Sequence, residues 1–167
     1  MNDAPLIDAR VIDGDARLAR VTLEGISLTR LSPELEADRA QAVADLALES
    51  NFAPVGFTGP FILHLAVLEG RLVFDIRNEQ DEKLIAHVLA LGPFRGLIKD
   101  YQMLVDSYIA SLHEDHESRI QAIDMGRRGL HNEGAELMTA RLAGKINIDF
   151  PTARRLFTLV CVLHQRI

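Results

Sequence analysis

The stretch Phe61-Ile62-Leu63-His64-Leu65-Ala66-Val67-Leu68-Glu69-Gly70-Arg71-Leu72-Val73-Phe74-Asp75-Ile76-Arg77 decides the fold. Leu72, Phe74 and Ile76 alternate with Arg71, Val73, Asp75 and Arg77, the pattern of a strand with one buried face. Glu69-Gly70 reads as a two-residue hairpin turn. That turn sets the register: Leu68 faces Arg71, Leu65 faces Phe74, Leu63 faces Ile76, and His64 lies opposite Asp75. After the polar turn Asn78-Glu79-Gln80-Asp81-Glu82, a third strand runs from Lys83 to Ala90. With Leu18–Leu23 as another strand, the expectation is a small antiparallel sheet of about four strands.

Helical patterns flank this core. Ser32-Pro33-Glu34 is a helix start: serine caps free amides, proline suits the first turn, and Glu34, Glu36 and Asp38 favour the positive end. Leu35, Ala42, Val43, Leu46 and Ala47 share one face, giving a helix to about Ser50. Asn51–Pro60 is a turn-rich loop. From Gly92-Pro93 onward, Phe94, Leu97, Ile98, Tyr101, Leu104, Val105, Tyr108, Ile109 and Leu112 keep helical spacing, and their stripe should cover the sheet. His113–Glu117 interrupts it. A second helix runs from about Ser118 to Ala143, weakened at its glycines, and Asp149-Phe150-Pro151 starts a last helix, Thr152 to Gln165. That helix is apolar nearly all round, so it belongs in the core or in a subunit interface. The chain thus reads as one α+β domain over 1–167: a loose lead-in at 1–16, a sheet with one helix over 17–91, and a three-helix cap over 92–167.

Composition narrows the class. The 167 residues are 48% hydrophobic and 25% charged, which suits one soluble globular domain and argues against disorder. Aromatics make up 5% with no Trp, so the core must be Leu, Ile, Val and Ala. The single Cys161 excludes an internal disulfide, and its apolar neighbours suggest an inert buried thiol. Met1–Pro5 has no basic start or long apolar run, so neither a secretory signal nor a transit peptide is expected. No apolar run approaches the roughly 20 residues of a membrane span, and the expected location is the cytoplasm of a bacterium. Net charge is −6, divided into −9 over residues 1–116 and +3 over 117–167. A mildly basic C-terminal third suits an acidic partner or a small anion and lacks the strong field that free nucleic acid needs.

Within that third lies Ile123-Asp124-Met125-Gly126-Arg127-Arg128-Gly129-Leu130-His131-Asn132-Glu133-Gly134. Each glycine weakens a helix by about 1 kcal/mol relative to alanine, a cost that makes sense where something packs closely. This segment, with Asn51–Gly56, Arg71–Arg77, Pro93-Phe94 and the tail Asp149–Leu159, resembles the uncharacterised protein family 0262, short proteins of alphaproteobacteria. The resemblance covers nearly everything after Arg17 and implies a bacterial cytoplasmic origin. It implies no activity and transfers no residue role.

Asp124, Arg127, Arg128 and His131 share one side of a helical wheel. They form either an anion pocket, with two guanidinium forks and His131 as donor or acid/base, or a solvated Asp124–Arg128 pair with Arg127 tied to a loop carbonyl. Glu133 points away from that stripe on an ideal helix, unless Gly126 and Gly129 distort it. Arg154 and Arg155 sit at the wrong end of the last helix for its dipole, so carboxylates hold them or they aim at an anion. His64 opposite Asp75, with His87 on the same sheet face, reads as a two-histidine, one-carboxylate metal site or, more simply, as a cross-strand His–Asp pair. His113-Glu114-Asp115-His116 reads as a solvated junction. Gly126–Gly129 is no phosphate loop, having neither Lys-Ser/Thr nor a preceding strand, and no Gly-x-Ser-x-Gly elbow occurs.

The leading expectation is a non-enzymatic interaction or regulatory module that presents the glycine–arginine helix to another protein, with a homodimer as one form of it. The alternative is a small enzyme or sensor binding a phosphorylated or carboxylated metabolite through Arg127, Arg128 and His131, with Glu133 as base. No cofactor, metal, membrane or free nucleic acid is expected. A pocket lined by arginines favours the metabolite; a flat exposed face favours the protein partner.

Overall fold

The computed structural model describes residues 15–24, 32–114 and 117–164. Most of the N-terminal lead-in and the His113–His116 junction with its side chains lie outside the described residues. The elements are β1 (Leu18–Glu24), α1 (Pro33–Leu48), β2 (Phe52–Pro54), β3 (Phe61–Leu68), β4 (Arg71–Arg77) and β5 (Lys83–Ala90). They continue as a 3₁₀ turn (Gly92–Phe94), α2 (Arg95–Glu114), α3 (Glu117–Leu142), β6 (Ile146–Ile148) and α4 (Phe150–Leu163).

The hairpin forms as its sequence dictates. β3 and β4 pair antiparallel, with Leu65 on Phe74, Leu63 on Ile76 and His64 on Asp75. Glu69 and Gly70 adopt φ of 50° and 75°, left-handed backbone at both turn positions. Leu72, Phe74 and Ile76 are fully buried. β5 continues the antiparallel pairing on the far side of β4.

β1 departs from the expected antiparallel arrangement. It lies beside β3 but runs parallel to it, so the sheet is mixed, in the order β1-β3-β4-β5. The physical reason is the intervening helix. α1 crosses over between the two strands and lies along β1, returning the chain to the end of the sheet where β1 began, as a parallel pair requires. The expected three-helix cap, α2, α3 and α4, forms over the C-terminal part, and α1 packs against α4 from the first half of the chain. A second sheet of two short strands, β2 and β6, pairs Phe52 with Ile148 and Pro54 with Ile146. It ties the loop after α1 to the connection between α3 and α4, where three-residue strands leave no periodicity to read.

α4 is the centre of the packing. It touches α1, α2, α3 and β3, and Leu156, Phe157, Leu159, Val160, Cys161, Val162 and Leu163 are wholly buried. Each large apolar side chain so enclosed contributes about 1.5–3 kcal/mol. Its start is fixed by Asp149, whose carboxylate accepts from the Thr152 amide at 3.0 Å, while the Thr152 hydroxyl accepts from the Asn51 amide at 2.9 Å.

The glycines of α3 divide by role. A Cβ on Gly134 would come within 2.4 Å of the Phe157 ring, so this glycine lets α3 and α4 approach. A Cβ on Gly126 would meet Leu104 at an ordinary 3.6 Å, and one on Gly129 would meet nothing within 4 Å. Gly134→Ala should therefore cost several kcal/mol through overpacking, about 1–3 kcal/mol at least. Gly129→Ala should stabilise by up to about 1 kcal/mol through helix propensity. Opposite signs in denaturant unfolding are the expected result; a neutral Gly134→Ala would show that the ring has room to move.

Candidate functional site: a cavity between three helices

Two helices present matching polar stripes. Asp38, Gln41, Ala42 and Asp45 recur at helical spacing on α1, and Pro151, Arg154, Arg155 and Thr158 do so on α4. With His131 of α3 they line a cavity of about 300 Å³, at the lower end of the range for small-molecule sites.

A half-buried polar cluster supports the floor. Tyr101 of α2 donates its hydroxyl to Asp38 Oδ2, and Arg127 Nη2 donates to the same oxygen at 2.5 Å. Burial, and then the Asp38 carboxylate beside it, push the Tyr101 phenol far above its ordinary range, so it stays protonated and donates to Asp38. Burial opposes the charge on Arg127, but Asp38 and Tyr101 outweigh it and its pKa is raised. Arg127 is thus a pin for Asp38 and does not itself line the cavity. Asp38 Oδ1 makes no hydrogen bond among the described residues.

His131 sits between rings, 5.7 Å from Tyr101 and edge-on to Phe157 at 6.2 Å. Burial first, then the charges of Arg127 and Arg154 against that of Asp38, push its pKa down to about 4. It is neutral near pH 7. Its Nε2 lies 3.3 Å from Thr158 Oγ1, and that hydroxyl donates to the Arg154 carbonyl at 3.2 Å. The hydroxyl has one proton, so with that proton on the carbonyl, Nε2–H is the donor and Nδ1 is left as the acceptor.

The arginines in and behind the cavity wall differ in one respect. Arg127 has Asp38, and Arg155 Nε lies 3.5 Å from Asp45 Oδ2, whose other oxygen accepts from Gln41 at 2.8 Å. Arg154 has no carboxylate among the described residues, and its Nε is buried with no hydrogen-bond partner. The two explanations for an arginine pair at a helix start therefore divide between them. Arg155 is held by a carboxylate; Arg154 has none among the described residues.

The structure brings together His131, Arg154 and Arg155, with Arg127 behind Asp38. It does not bring Asp124, Arg128 or Glu133 there. Asp124 and Arg128 are exposed and form no ion pair with each other, and Glu133 lines a separate groove between α2 and α3. Asp38, Asp45, Gln41, Tyr101 and Thr158 were missed by sequence reasoning. The available signal was the polar spacing of positions 38, 41 and 45, of which only Asp38 was read, as a partner of the helix dipole.

A second cluster corrects the reading of His64. Asp75 lies opposite it in register, but the ring turns to Glu24 at 2.7 Å and Asp81 at 2.9 Å, while Asp75 pairs with Arg77 at 2.9 Å. His64 therefore joins β1, β3 and the β4–β5 turn. His87 pairs with Phe74, one residue from Asp75, so it projects from the opposite face of the sheet. Among the described residues no group of three or more His, Cys, Asp or Glu is arranged to hold a metal ion.

A family model described as "Uncharacterised protein family (UPF0262)" matches residues 15–166, nearly the whole chain. The chain belongs to this family. A relative from Granulibacter bethesdensis is 65% identical over 160 residues, covering 90% of this chain and 91% of that protein. One from Acidiphilium cryptum is 61% identical over 154 residues, covering 90% and 93%. One from Rhodopseudomonas palustris (strain HaA2) is 49% identical over 155 residues, covering 92% and 95%. No solved structure matches the chain. Among the described residues no helix is long and apolar enough to cross a membrane.

The environment of His131 sets a pH dependence. A histidine kept neutral in the fold but free to charge when unfolded makes the unfolded chain bind the extra proton. Its contribution is full above the ordinary value of 6.5 and is lost as pH falls through 6.5 toward 4. The stability difference between wild type and His131→Phe should shift by about 3 kcal/mol against the wild type between pH 7 and pH 4. Denaturant titrations across that interval check it; parallel curves would place the imidazole in solvent.

Proposed function

We propose that this protein is a small ligand-binding module of the cytoplasm that takes a small carboxylated or phosphorylated metabolite in the cavity between α1, α3 and α4. The observation that carries the reading is Arg154. Its guanidinium stands in the wall of a cavity and has no carboxylate partner among the described residues, while Arg155 beside it and Arg127 behind it each have one. The buried Nε is out of reach of the cavity, but no carboxylate among the described residues neutralises this guanidinium, so an anion entering the cavity gains a charge-assisted contact that the protein does not already supply. The first turn of α4 adds its positive dipole end.

Thermal shift with inorganic phosphate and short carboxylates tests this. At a ligand concentration of 100 Kd the wild type should gain about 2.7 kcal/mol. Arg154→Gln should fold with little loss and give no ligand response, and Arg128→Gln, altering an exposed side chain, should keep it. A response that survives Arg154→Gln would overturn the reading.

A different observation favours a second reading, the protein-partner module. The groove between α2 and α3, about 420 Å³, is lined by Met103, Leu104, Gly126, Gly129, Leu130 and Glu133 among others, and Met103 and Met125 are exposed on the two helices. If two copies meet through this face, the wild type runs as a dimer in light scattering and the double change Met103→Asp, Met125→Asp runs as a monomer. A wild-type monomer at high concentration removes the homodimer form of this reading.

A further inference from the structure

We infer that the ligand of the α1–α3–α4 cavity is a small hydroxy-monocarboxylate, a class that follows from the charge and hydrogen-bond inventory of the walls. The inference rests on the proposed anion site and narrows it.

Charge comes first. Asp38 and Asp45 are balanced by Arg127 and Arg155, and Arg154 remains as the single surplus cation of the group. His131, neutral near pH 7, adds nothing to this sum. One surplus positive charge matches a carboxylate, which carries a single negative charge. A phosphate monoester carries about −1.5 to −2 at pH 7 and would leave negative charge uncompensated beside Asp38 and Asp45. A zwitterionic amino acid, with no net charge, would leave Arg154 in surplus.

Hydrogen bonding comes second. Asp38 receives both of its donors, from Tyr101 and Arg127, on Oδ2. Oδ1 is left as an acceptor on a residue that lines the same cavity as Arg154. His131 has one ring nitrogen committed to Thr158 and the other left as an acceptor by the single proton of that hydroxyl. The cavity thus offers a cationic donor on α4 and acceptor capacity on α1 and α3. A ligand complementary to it is anionic at one end and donates a hydrogen bond at the other. A hydroxyl supplies that donor without adding charge. The volume of about 300 Å³ accommodates a ligand of this size.

Calorimetric titration of the full-length protein with propionate, lactate, alanine and inorganic phosphate tests it. Lactate and propionate differ by one hydroxyl, and a hydrogen bond to a charged acceptor is worth about tenfold or more in affinity. Lactate should bind at least about tenfold tighter than propionate and tighter than alanine or phosphate, and Arg154→Gln should abolish binding of all of them. Asp38→Asn should narrow the lactate–propionate ratio; if that variant fails to fold, the wild-type series alone decides. Equal affinity for lactate and propionate, both dependent on Arg154, overturns the hydroxyl assignment and leaves the anion site standing. Alanine or phosphate binding tightest, again through Arg154, overturns the charge argument alone. Binding by no probe, or binding indifferent to Arg154, overturns the anion site itself.

Discussion

The structure depends on the seating of one helix. α4 is enclosed on all sides along its second half, and Phe157 fits against Gly134 so closely that no other residue would leave the ring where it is. Interiors are packed like crystals, so a contact of this kind fixes the helix axis rather than merely favouring it. Once the axis is fixed, the orientation of the first turn follows. Arg154 and Arg155 then face α1 across the cavity. The polar site is thus positioned by an apolar one a single turn away.

The same packing explains the electrostatics. A guanidinium in water needs no partner, and an imidazole in water titrates near 6.5. Between Tyr101 and Phe157, and with Arg127 and Arg154 near, His131 loses its proton affinity because the charged form has neither water nor a sufficient counterion. Asp38 receives a phenol and a guanidinium on one oxygen. One carboxylate therefore organises side chains from α1, α2 and α3, and its second oxygen remains for other use.

What the sequence disclosed follows from the range of each signal. The hairpin register, the burial of Leu72, Phe74 and Ile76, the Ser32 cap and the enclosure of α4 are local or periodic, and all were legible. The direction of β1 was not, because alternation within a strand says nothing about which way its neighbour runs. The β2–β6 pair joins positions nearly a hundred residues apart through strands too short to show a period. In the site, Arg154 and Arg155 stood out because they contradict their helix dipole. Asp38 and Asp45 did not, because acidic residues near a helix start are unremarkable until their partner is known. Arg127 and Arg128, adjacent in sequence, point to different surroundings because neighbours on a helix lie about 100° apart.

The parallel pairing of β1 carries a consequence for the order in which the chain acquires its structure. β3, β4 and β5 are joined by short turns and close with small loops, a rapid event in any chain. β1 must wait until α1 has been laid down between it and β3, so its contacts close a far larger loop and come late. β1 is also an edge of the sheet, held on one side only. A strand that closes late and is held at an edge is expected to open before the hairpin, whereas α1 packs on α4 as well as on β1 and is held by both. α1 supplies the acidic wall of the cavity. The cavity therefore takes its acidic wall from a helix that bridges the late-closing edge strand and the central helix α4.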